Sequence, residues 1–193
     1  MGPEAASTSR SIYLGPWRID ITTRPGVPAL VPLIDLARAI GAALESAGAL
    51  RPASIGLILA DDAELGGLNE THLGKDGPTD VLSFPLLPPD AFPAHQEAMS
   101  PTPRGRSSGV PFALPPGRRL HLGDIVVSVE RAIDQAEAGR GGQTGDRRWS
   151  PADELRLLVT HGTLHICGWD HAEPGEETAM RALELRLLGT VGP

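Results

Sequence analysis

The feature that most limits the fold of this chain is an interruption. Nine of its nineteen prolines fall within residues 85–118, with Gly, Ser and Arg among the residues between them, and no helical or alternating apolar period runs through them. On either side stand two strand-like segments, residues 80–84 (DVLSF) and 122–128 (LGDIVVS). These two strands follow one another with no helix between them. A doubly wound parallel sheet needs a crossover helix at each step. The sequence therefore points to an α+β layer, a small mixed sheet of about four strands packed with helices. The tract at 85–118 reads as a Pro-rich insertion, exposed and partly disordered.

The other elements follow from local signals. Residues 1–10 read as a flexible N-terminal tail, leaving 11–190 as a single domain. Ile12, Trp17, Ile19 and Ile21 among turn residues suit a short edge strand or hairpin. Leu33, Leu36, Ala37, Ile40 and Leu44 recur at helical spacing, with Pro32 at the start and Gly48 at the stop. Residues 54–60 (SIGLILA) form a short continuous apolar run, as in a buried strand. Asp61 followed by Glu64 resembles a capping box opening a helix with Leu65 and Leu68. A helix follows at about 129–138, then a second loose stretch at 139–148, rich in Gly and Arg. Ser150, Pro151 and Asp153 start a long helix that Gly168 ends. A last helix begins near Pro174 and carries Met180, Leu183 and Leu187.

Composition removes several classes of function. A formal net charge of −7 argues against coating nucleic acid by bulk charge, though not against a local site. No apolar run is long enough for a membrane span, and residues 1–11 lack the apolar core of a secretory signal. The single cysteine, Cys167, cannot form an internal disulfide, so the expected compartment is the cytoplasm.

The chemistry is concentrated at residues 161–171, HGTLHICGWDH. His161 and His165 are four apart on a predicted helix, so their imidazoles share one face. Gly168 can turn the chain back and let His171 supply a third nitrogen. Three protein ligands leave one position of a tetrahedral ion open, the arrangement of catalytic zinc. One Zn2+ per chain is expected, although imidazole also suits iron, nickel and copper. The spacing equals that of the metzincin protease motif, HEXXHXXGXXH, except that Gly162 stands where the protease has its general base, Glu. The metal site survives that difference and the protease assignment does not.

With this block in place, the chain resembles the YbeY family of bacterial rRNA maturation factors, described as zinc-dependent endoribonucleases. Residues 78–85 (PTDVLSFP) and 122–128 match two further blocks of the family in order, and Met180 with Glu184 resembles its C-terminal helix. The resemblance implies a single-strand-specific endoribonuclease in 16S rRNA 3′ end processing and ribosome quality control. It implies single-stranded rRNA and the ribosome or its small subunit as partners, with no membrane and no DNA. The family has an Arg after Leu68 and Asn69, and the spacing to Thr79 and Asp80 puts Leu73 at that position. Lys75 and the strand residue Ser83 are then the candidates for contact with substrate, while no residue stands out as the general base. Two other readings compete: a non-catalytic, zinc-containing ribosome-assembly factor, and a metal-dependent hydrolase of another substrate. Asp170 is a candidate for bonding a ligating ring or shaping the turn, and Cys167 for a packed side chain.

Overall fold

The computed structural model describes residues 6–93, 118–139, 149–170 and 174–190 of the chain. It begins with a hairpin, β1 (Thr8–Leu14) and β2 (Trp17–Thr23), paired antiparallel with Leu14 opposite Trp17. Trp17, Ile19 and Ile21 of β2 are buried while the polar residues between them face outward, the alternation of a half-covered strand. The expected tail is therefore shorter than residues 1–10, because Thr8, Ser9 and Arg10 already pair with Thr23, Thr22 and Ile21. β1 also raises the strand count from about four to five. Its residues are mostly exposed, so only Ile12 and Leu14 betray it as a separate strand.

Helix α1 (Leu33–Ser46) carries the chain back so that β3 (Ala53–Ala60) lies parallel to β2. Its buried stripe includes Leu36, Ile40, Ala43 and Leu44, at three- and four-residue spacing. Helix α2 (Asp62–Leu73) starts where Asp61 accepts a hydrogen bond from the Glu64 N–H at 2.9 Å. The Glu64 carboxylate does not close a capping box. It takes the Arg24 guanidinium instead, at 2.6 and 2.8 Å, and ties α2 to the end of β2. β4 (Val81–Pro85) pairs antiparallel with β5 (Leu120–Ser128), and β5 lies parallel to β3. The order across the sheet is β1-β2-β3-β5-β4. Helices α3 (Val129–Glu137), α4 (Pro151–Ile166) and α5 (Pro174–Thr190) complete the fold. α4 opens with a full capping box between Ser150 and Asp153.

One face of the sheet holds the main core, where Ile19, Ile55, Leu57 and Ile125 belong to one cluster with Leu36 of α1, Leu158 of α4 and Leu183 of α5. Each such side chain contributes on the order of 2 kcal/mol by leaving water. The other face has a smaller cluster, Ala60, Leu65 and Val126 with Leu68 and Phe84, which α2 covers. Toward the hairpin that second face is polar, and its groups bond one another. Ser54 Oγ lies 3.1 Å from His121 Nδ1, and His121 Nε2 lies 3.2 Å from Asp124 Oδ1.

The stretch after β4 is exposed at most of its first positions, as expected, but it is ordered and anchored in the core. The Leu86 N–H continues the ladder by donating to the Leu122 carbonyl at 2.9 Å. A single 3-10 turn, Pro89–Ala91, then places Phe92 in the main core at 6% exposure. Leu87 and Ala91 pack beside it. Proline removes a donor but does not prevent packing where the ladder has ended. Residues 94–117 and 140–148 lie outside the described residues.

Two outcomes separate these parts. Phe92→Ala should lower the unfolding free energy in urea by about 3 kcal/mol. Excising residues 94–117, with a short Gly-Ser linker joining 93 to 118, should leave the unfolding midpoint close to that of the full chain.

Candidate metal centre

Helix α4 is pressed against the sheet at Gly162, and that contact sets the position of everything around it. A methyl group there would meet Ile125 Cγ2 at 2.7 Å and Val81 Cγ2 at 3.0 Å. The Ser83 hydroxyl of β4 donates to the Gly162 carbonyl at 3.0 Å, which fastens the helix to the edge strand. Position 162 has no room for a side chain, so the absence of a general-base Glu is enforced by packing.

His161 and His165 flank this contact, partly buried, with ring centroids 4.5 Å apart. Their Nε2 atoms approach to 3.0 Å, while each Nδ1 points at a different partner. His165 Nδ1 lies 2.8 Å from the Trp169 carbonyl, which can only accept, so this nitrogen carries the proton. His161 Nδ1 lies 2.7 Å from Glu184 Oε1 of α5, and an ionised carboxylate imposes the same tautomer. In two neutral rings so arranged, both Nε2 atoms are acceptors aimed at one another. Acceptors at this distance repel unless a proton or a cation lies between them. Two nitrogens sharing a tetrahedral zinc ion stand about 3.3 Å apart, so the pair fits a metal of this kind.

The turn that follows α4 supplies the carbonyl. Gly168 has φ +80°, and a Cβ there would meet the Pro89 backbone at 2.9 Å. The left-handed residue sends Trp169 back, so its N–H donates to the Leu164 carbonyl at 3.1 Å while its own carbonyl meets His165. Sequence reasoning expected this return. It did not expect the Pro-rich segment to pack on it.

The structure brings together two of the three expected ligands. His171 lies outside the described residues, and among the described residues no cluster of three or more His, Cys, Asp or Glu side chains is arranged to hold a metal. The carboxylate on His161 belongs to Glu184, placed there only by the docking of α5, whereas Asp170 is exposed at the turn. Cys167 is fully buried, and burial pushes its thiol up to about 12, as expected of a packed side chain. Lys75 is exposed on the loop after α2, and Leu73 at the end of that helix is 55% exposed. Asp80 receives the Val81 N–H at 3.0 Å and the Gln135 amide at 3.1 Å, organising the start of β4. Ile125 faces α4, so the neighbouring Asp124 projects to the opposite side of the sheet, away from the two His.

The family model described as Endoribonuclease YbeY matches residues 33–192. An Endoribonuclease YbeY of Roseiflexus castenholzii is 34% identical over 175 residues, covering 90% of this chain and 92% of that protein. One of Salinispora tropica is 40% identical over 150 residues, 77% of this chain and 80% of the relative. A Thermotoga maritima protein solved in solution shares the fold, with TM-score 0.50 and 22% identity over 90% of this chain and 88% of that one.

Gly162→Ala tests the packing. Alanine gains about 1 kcal/mol of helix propensity over glycine. Overpacking a tight contact costs about 1–3 kcal/mol. The second term should win, so the variant should unfold at lower denaturant than the parent. The Cys167 thiol should resist alkylation in the folded protein and react once urea unfolds it.

Proposed function

Because this chain belongs to the Endoribonuclease YbeY family, we propose that it is a metal-dependent endoribonuclease cleaving single-stranded RNA in the maturation of ribosomal RNA. The observation that supports this most is the facing pair of acceptor nitrogens on His161 and His165, each held by a partner on its other ring nitrogen. His161, His165 and His171 would hold one Zn2+ per chain, since imidazole donors suit that ion. Bound there, such an ion would supply Lewis acidity, of use in activating water near neutral pH and in offsetting charge on a phosphoryl oxygen.

The chain's own residues do the rest. Glu184 and the Trp169 carbonyl keep both rings in the tautomer that presents Nε2. Gly162 leaves no room for the Glu that serves as general base in the protease motif. Lys75 is the candidate cation for a substrate phosphate, a role the family gives to an Arg where this chain has Leu73. Ser83 lies on the edge strand β4, and its hydroxyl donates to Gly162, so it serves the site by placing the helix. No helix among the described residues is long and apolar enough to cross a membrane. Cytoplasm, the small ribosomal subunit as partner, and a single domain over residues 11–190 complete the proposal.

Cleavage of a single-stranded RNA by the purified protein should stop on adding a chelator and return with zinc. Failure to cleave by a protein that nonetheless holds zinc would favour a non-catalytic assembly factor. A 2′,3′-cyclic phosphate product would identify the ribose 2′-hydroxyl as nucleophile in place of water. Replacing His161, His165 or His171 by Ala should each lower zinc content by elemental analysis, while His95→Ala, in the tract at 85–118 and without a spacing that ties it to those three, should not. Leu73→Arg should raise cleavage about tenfold, equivalent to about 1.4 kcal/mol of transition-state stabilisation. Lys75→Ala should lower it at fixed salt.

A further inference from the structure

Helix α5 buries Met180, Leu183 and Leu187, an apolar stripe at helical spacing. Glu184 interrupts that stripe at only 8% exposure. A carboxylate in such surroundings loses most of its hydration, which is unfavourable unless a charged or strongly polar group compensates. Its Oε1 lies 2.7 Å from His161 Nδ1, a bond that joins α5 to α4 across 23 positions of sequence. A helix whose only task was to close the core would carry an apolar residue here.

We propose that Glu184 is a positioning residue for the metal centre, setting the tautomer and direction of His161 and strengthening its Nε2 as a metal donor. This rests on the metal-site reading above and adds to it a dependence on the last helix. The Nδ1–H that Glu184 accepts leaves Nε2 with the lone pair. The carboxylate charge then pushes electron density through the ring toward that lone pair. His165 is held differently, by a neutral carbonyl of its own turn, so its orientation is local. His161 therefore depends on tertiary docking and His165 on chain geometry. Metal affinity and the seating of α5 become coupled quantities.

The test is zinc affinity, measured by competition with a chromogenic chelator on full-length protein. Each variant's metal-free thermal unfolding is recorded alongside. Glu184→Ala should bind zinc about 10–100-fold more weakly, the usual loss for removing such a partner. Glu184→Gln should keep the fold and the packing, and still bind more weakly than the parent, since its amide lacks the charge. Glu177→Ala, at an exposed position two turns earlier on the same helix, should bind like the parent. Should Glu184→Ala fail to fold, the isosteric Gln variant decides alone. Parental zinc affinity in every folded Glu184 variant would overturn the assignment and leave the metal site standing. A wild-type protein that binds no zinc would overturn the metal reading itself, and this inference with it.

Discussion

The contact between Gly162 of α4 and the β4–β5 pair is the constraint on which the site depends. A helix normally stands off a sheet by the thickness of its side chains. Here one position has none, and the backbone comes close enough for the Ser83 hydroxyl to reach the Gly162 carbonyl. His161 and His165 are therefore held beside an edge strand, partly buried and still open to solvent on one side. Moving the helix outward by a single methyl group would shift both imidazoles with it. The same contact leaves no volume at position 162 for the Glu of the protease motif.

Three separated parts of the chain converge on these two rings. The turn at Gly168 and Trp169 orients His165, and α5 brings Glu184 to His161. Pro89 packs on Gly168 from the other side, and Phe92 then enters the main core. The start of the Pro-rich tract thus braces the end of α4. A segment that breaks every period can still be structural, because proline's fixed φ suits a packed turn as well as a loose one.

Much of the fold was legible because it is written in local terms. Apolar spacing marked α1 and β3, and caps marked the starts of α2 and α4. The lack of a helix between β4 and β5 excluded a doubly wound sheet, and the antiparallel pairing of those strands agrees. The sequence left residues 12–21 open between an edge strand and a hairpin, because an exposed edge strand such as β1 has little apolar signature. The packing of residues 86–93 was missed because Phe92 is a lone aromatic without periodic neighbours. Glu184 matched a family position, yet nothing in its local sequence tied it to His161.

The sequence by itself determined the donor types, the i, i+4 placement of His161 and His165, and the glycine that ends their helix. Those depend only on the helical repeat and on the φ values open to glycine. Tertiary structure alone decided which nitrogen of His161 faces His165, because tautomer follows from the group opposite Nδ1. That group is a carboxylate on a helix 23 residues away, and no local rule reaches that far.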